Sequence, residues 1–279
     1  MNDSAPIAPG TRRRLSTVHT ERQGPVLHVT LNRPETGNAV TETTLDELWS
    51  VLAWPDETVR VIVLSGAGPD FCLGGDREEF STLLDKDPTG GGIRISGAKA
   101  RRVCEAITGH HAVTIAKIQG KAIGAGLALA LACDLRIGAE TASFRLPELA
   151  LGLPTAWGGL LPRLLHEVGA ARAREIILTS RAIDAEEALS LSILQRVVPE
   201  AGLDQATTDW VKPIIRRPDA ALRVTKTLMN AYTAAPRLAD TSALDAELMA
   251  SVLAGSHYAR HRDAEGSPVR PRRHVHPDV

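Results

Sequence analysis

Two hydrophobic periods alternate between residues 26 and 138, and this alternation constrains the fold more than any other feature of the chain. Leu27, Val29 and Leu31 alternate with His28 and Thr30, the period-two pattern of a half-buried strand, and Asn32-Arg33-Pro34 ends it. A period near 3.6 follows: Leu45, Leu48, Trp49 and Leu52 share one helical face, Thr41 is placed to cap it, and Pro55 stops it. Residues 59–65, rich in β-branched side chains, read as a buried strand closed by Gly66-Ala67-Gly68-Pro69. The cycle repeats with a helix over 93–108, a strand over 113–118, an all-apolar helix over 124–133 and a strand over 134–138. Strands and helices in alternation, joined by right-handed crossovers, predict a layered α/β fold. Beyond residue 200 strand signals vanish, and 203–261 reads as helical with breaks near Pro213, Pro218 and Pro236.

Composition narrows the function. The 279 residues are 43% hydrophobic and 23% charged, which suits a globular protein with one large core or two modest ones. Aromatic residues are only 3%, so aliphatic side chains must fill that core. A net charge of -1 argues against nucleic acid as a partner, because polyanion-binding surfaces usually bring a basic excess. The longest weakly charged stretch, 122–133, is far short of the roughly 20 residues of a membrane span. Cys72, Cys104 and Cys133 lack CxxC or Cys/His zinc spacing, so free thiols and no metal site are expected. With no signal-peptide pattern at the N-terminus, a cytoplasmic location is expected. Residues 1–14 read as a flexible tail and 263–279 as a polar basic tail carrying Arg270, Arg272 and Arg273. The Gly90-Gly91-Gly92 run lacks the Lys-Ser/Thr of a phosphate-binding P-loop.

Two glycine turns each follow a strand and precede a helix: Phe71-Cys72-Leu73-Gly74-Gly75-Asp76, and Gly120-Lys121-Ala122-Ile123-Gly124-Ala125-Gly126. At a helix start the first N–H groups lack partners and the dipole is positive, so two such turns could hold an oxyanion. Either turn alone is equally well explained by tight packing. A third stretch, Arg145-Leu146-Pro147-Glu148-Leu149, leads to Trp157-Gly158-Gly159.

The succession of Leu31-Asn32-Arg33-Pro34, residues 71–76, residues 118–134 and the Pro147-Glu148 and Gly158-Gly159 block resembles the crotonase superfamily, also called the enoyl-CoA hydratase/isomerase family, over roughly residues 15–262. The resemblance implies a crotonase-like spiral of ββα units over 15–200, with two nearly perpendicular sheets. It also implies a helical trimerisation region over 201–262 and assembly as a homotrimer or hexamer. The substrate would be an acyl-CoA thioester, with coenzyme A present only as part of it and no separate cofactor. By motif position, the N–H groups of Gly75 and Ala125 would form the oxyanion hole, with Leu73, Gly74, Asp76 and Gly124 lining the substrate around them. Preorganised donors of this kind are each worth about 3 kcal/mol on a thioester enolate.

The family's hydratases use two glutamates. The first position falls on Ala128, which has no acid, and the second on Glu148. A single carboxylate can move a proton between two carbons of an enolate, so the pattern favours delta-3 to delta-2 enoyl-CoA isomerisation. Hydration, decarboxylation or carbon–carbon bond formation, and a silent acyl-CoA-binding scaffold are the alternatives. Without the family, Glu148 would read as a surface carboxylate after Pro147. Asp134 reads as structural. His110 and His111 read as a solvated loop, kept in reserve as acids. Trp157 reads as a packing residue that could also wall the acyl pocket. Arg33 and the tail arginines are candidates for the coenzyme A phosphates, because Arg forks onto phosphate.

Overall fold

The computed structural model describes residues 15–53, 56–234 and 244–265. In chain order the strands are β1 (Val18–Gln23), β2 (Val26–Leu31), β3 (Val61–Gly66), β4 (Val113–Ile118), β5 (Lys121–Ile123), β6 (Leu135–Ala139), β7 (Ser143–Arg145), β8 (Ala182–Asp184) and β9 (Arg196–Val198). The helices are α1 (Glu42–Leu52), α2 (Arg77–Lys86), α3 (Gly91–Gly109), α4 (Ala125–Ala132), α5 (Leu160–Val168), α6 (Ala170–Thr179), α7 (Ala185–Ser190), α8 (Leu203–Ile215), α9 (Asp219–Ala234) and α10 (Asp245–Glu265).

Six strands form one sheet in the order β1-β2-β3-β4-β6-β9, and three short ones form a second in the order β5-β7-β8. From β2 to β9 the large sheet is parallel; only the β1–β2 edge is antiparallel. Parallel strands need covered faces. One face of the large sheet packs Val29, Leu31, Ile62 and Leu64 into the main core with Leu45 and Leu48 of α1, Val103 and Ile107 of α3 and the whole of α4. On the other face, Val61, Val63, Val113 and Ile115 pack with Val211, Trp210 and Ile214 of α8. The change near residue 200 is therefore one of secondary structure, since α8 is continuous with the core.

Local chemistry explains the elements. Thr41 caps α1, its side chain accepting from Thr44 N–H, as its position predicts. All eight residues of α4 are buried, which is why its sequence carries no polar face. Glu47, on the core side of α1, accepts hydrogen bonds from the N–H groups of Ser16, Thr17 and Val18 and from both hydroxyls, tying the chain's entry into β1 to α1.

The predicted break at Pro213 is absent, and Pro213 lies inside α8. It sits in the last turn, two residues before the helix end at Ile215, so it removes one i→i−4 hydrogen bond only where the helix is about to stop. Pro55, Pro236 and the tail arginines lie outside the described residues. Among the described residues, no helix is long and apolar enough to cross a membrane.

Candidate active site

The site is assembled by strand register. Ala122 of β5 lies opposite Phe144 of β7 in parallel pairing, and a parallel bridge joins Cys72 to Ala122. Three segments thus run side by side in one direction with Cys72, Ala122 and Phe144 in line. Three residues beyond that line lie Gly75, Ala125 and Pro147, so both glycine turns and the Pro147-Glu148 turn emerge together.

The two turns meet closely. Gly74 has φ +105°, and a Cβ there would lie 3.2 Å from Ile123 O and 4.0 Å from Ala125 N. Val40 N–H donates to Gly74 O (2.8 Å) and Asp76 N–H to Val40 O (2.9 Å), fixing the first turn. Gly124 N–H donates to Arg145 O (3.0 Å), and Ala128 N–H reaches Gly124 O (3.0 Å) as the first bond of α4. The N–H groups of Gly75 and Ala125 have no protein acceptor among the described residues.

Glu148 stands at the mouth of a short 3-10 turn, its carbonyl accepting from Leu151 N–H (3.0 Å) and Leu153 N–H (2.8 Å). The residue is only 9% exposed, and Oε2 is buried without a hydrogen-bond partner. Burial raises its pKa, against a smaller lowering by its own backbone N–H. Its Oε1 is beside Gly124. A partly desolvated carboxylate therefore sits next to a helix start with free N–H donors, an arrangement suited to holding an enolate and moving its proton.

A family model described as enoyl-CoA hydratase/isomerase matches residues 21–265. The chain belongs to the enoyl-CoA hydratase/isomerase family. It is 32% identical to the short-chain-enoyl-CoA hydratase of Clostridium acetobutylicum over 219 residues, covering 77% of this chain and 82% of that protein. A family structure from Thermobifida fusca YX, solved in complex with acetoacetyl-CoA, superposes with TM-score 0.72 at 32% identity, covering 90% of this chain and 96% of the other. A monofunctional enoyl CoA isomerase from M. smegmatis superposes with TM-score 0.66 at 31% identity, covering 80% and 96%. The α/β crotonase fold implied by the motifs is thereby established, as is an enzyme of the hydratase/isomerase type.

Within this hydratase/isomerase framework the remaining residues fall into place. Ala128 is one turn into α4 and 1% exposed, so its position supplies no acid or base. Arg33 Nη1 donates to Ala39 O (2.8 Å) and pairs with Asp76 Oδ2 (3.1 Å). Asp76 also caps α2 by accepting from Glu79 N–H. Both residues, expected to contact substrate, thus have intramolecular partners that brace the 71–76 turn. Leu73 is 39% exposed, an apolar side chain open at that turn, whereas Trp157 is packed in the main core. Asp134 is structural, accepting from Thr114 N–H (2.7 Å) and from the buried Lys226 Nζ (2.6 Å).

The histidine expectation is corrected. His110 is buried rather than in a solvated loop, and its Nδ1 accepts from Ala112 N–H (3.0 Å). Burial, with His111 and Lys226 nearby, holds its pKa down to about 4. It precedes β4, whereas the two glycine turns follow the parallel strands β3 and β4 at their other end, so it is no reserve acid for the site. Among the described residues no group of three His, Cys, Asp or Glu is placed to hold a metal.

Sequence reasoning missed Phe80, whose ring would lie 3.0 Å from a Cβ at Gly75. Phe80 belongs to an apolar cluster with Leu83, Leu84, Ile93, Leu153 and Met249. The Phe80-Leu83-Leu84 spacing of one helical face was the available signal. The contribution of Met249, from α10, had none.

Proposed function

We propose that the protein is an enoyl-CoA isomerase that moves a double bond from the delta-3 to the delta-2 position of an acyl-CoA thioester. The observation that carries this reading is a buried carboxylate, Glu148, whose Oε2 lacks a partner and whose Oε1 lies beside Gly124, combined with an alanine at position 128. The thioester carbonyl binds between the N–H groups of Gly75 and Ala125, which lowers the cost of charge on its oxygen. Glu148 takes a proton from C2 of the 3-enoyl chain. The dienolate charge rests on the thioester oxygen, and the same carboxyl returns the proton at C4. Leu73, Gly74 and Gly124 border the acyl path. The T. fusca structure with acetoacetyl-CoA supports an acyl-CoA ligand, and the M. smegmatis isomerase supports the reaction.

Exposed apolar side chains on α9, Val224, Leu228, Met229 and Tyr232, support assembly as a homotrimer or hexamer through 201–262. Coenzyme A enters as part of the substrate. The reading is tested by offering the enzyme 3-hexenoyl-CoA and crotonyl-CoA in heavy water. Isomerisation of the first and little hydration of the second are expected. Fast hydration of crotonyl-CoA would favour the second reading, an enoyl-CoA hydratase, which the name of the C. acetobutylicum relative supports.

A further inference from the structure

Two buried oxygens on one loop lack partners: Glu148 Oε2 and Thr155 Oγ1. Buried polar groups almost always find a hydrogen-bond partner, so each such atom calls for one. Glu148 has its use in the proton transfer described above. Thr155 has none, because C2 and C4 of a hydrocarbon chain offer nothing that a hydroxyl can bond.

Thr155 lies on the loop that leads from Glu148 to Gly159. Leu153, whose N–H is held by Glu148 O, packs in the cluster with Phe80, and that ring covers Gly75. On the other side Trp157 is packed in the core, and Gly158 lies so close to Cys104 that a Cβ would be 2.8 Å from its Sγ. Asp245 Oδ2 accepts from Gly159 N–H (3.0 Å), and Arg163 Nη1 donates to the carbonyls of Gly158 (2.7 Å) and Gly159 (2.9 Å). The segment from Leu153 to Gly159 is therefore anchored at both ends, and its one hydroxyl, Thr155 Oγ1, is buried without a partner.

Resting on the acyl-CoA reading above, we infer that Thr155 is a specificity-determining residue whose hydroxyl bonds an oxygen on the acyl group, so that the preferred thioesters carry a hydroxyl or carboxylate on the chain. A plain hydrocarbon chain leaves Thr155 Oγ1 unpaired in the complex. An oxygen-bearing chain satisfies it, and sites built to bond a substrate hydroxyl discriminate strongly against the analogue that lacks it.

The test measures dissociation constants by calorimetry for two pairs, 3-hydroxybutyryl-CoA against butyryl-CoA and glutaryl-CoA against valeryl-CoA. Wild type, Thr155→Val and Thr155→Ser are compared, each carrying Glu148→Gln to suppress turnover. At least one oxygen-bearing ligand is expected to bind about tenfold more tightly than its hydrocarbon counterpart in the Thr155 protein. Thr155→Val should abolish that preference and Thr155→Ser retain it. Because Val removes an unpaired hydroxyl, the free Thr155→Val protein should also melt no lower than its parent. The inference is overturned if neither pair is discriminated, or if Thr155→Val discriminates as its parent does. Failure of all four thioesters to bind would instead overturn the acyl-CoA reading itself.

Discussion

A methyl group at Gly124 would lie 2.7 Å from Glu148 Oε1, so the carboxylate occupies the space that any side chain at Gly124 would need. Gly124 also has φ +50°, a conformation that L-residues rarely adopt. Gly124→Ala should destabilise the protein by about 1–3 kcal/mol and, by displacing Glu148, cut turnover by about 100-fold. Urea denaturation and steady-state kinetics measure the two effects separately. Full activity in the variant would show that Glu148 is not held through Gly124.

Burial raises the Glu148 pKa above its unfolded value, which fixes the sign of two pH effects. The folded state favours the protonated acid, so the stability Glu148 contributes is fully present below the unfolded value near 4.5 and is lost as pH rises through the folded value. Glu148→Gln should therefore melt higher than wild type at neutral pH, with the difference shrinking toward pH 4. Turnover requires the carboxylate, so kcat should rise with pH through the same raised ionisation. A kcat limb at the ordinary glutamate value would remove desolvation from the account.

Ala128 is the position where a second carboxylate would stand, and the isomerase reading depends on its absence. Ala128→Glu should raise hydration of crotonyl-CoA from a low base, measured by loss of enoyl absorbance. Since Ala128 is fully packed, circular dichroism is needed to show that the variant folds. Unchanged hydration in a folded variant would mean that the second acid's place is elsewhere.

Away from the site, Glu47 gathers five hydrogen bonds from residues 16–18. Burial alone would raise its pKa, but those bonds together lower it. Its contribution is present above the unfolded value of 4.5 and is lost as pH falls through the folded value. Glu47→Gln should cost about 2–4 kcal/mol at pH 7 and flatten the acid limb of the stability curve. Denaturant midpoints across pH 3–7 measure both, and an unchanged acid limb would assign that limb to other carboxylates.

The parts of the fold that were legible are those in which one segment carries its own pattern. β4 spans Val113–Ile118, the residues its apolar run marks, and α1 begins after Thr41 as the cap requires. β1 was not legible. It is an edge strand with only Val18 buried, and so shows no alternation; its pairing with β2 makes it a strand. β7 and β8 are three residues each, too short for any period, yet β7 carries the register that delivers Glu148. His110 read as a loop residue because its burial comes from elements distant in sequence. Arg33 read as a phosphate ligand by charge, while its partner Asp76 is 43 residues away. Motif order pointed to Gly75, Ala125 and Glu148, but only the parallel alignment of Cys72, Ala122 and Phe144 explains why three separate turns emerge at one place.

The central claim is that one carboxylate, Glu148, carries the proton. The direct measurement is turnover of 3-hexenoyl-CoA by wild type and Glu148→Gln, alongside the affinity of each for a non-reacting thioester. The account predicts that Glu148→Gln loses at least about 100-fold in kcat while binding changes by less than about threefold. Turnover by Glu148→Gln at the wild-type rate would contradict it.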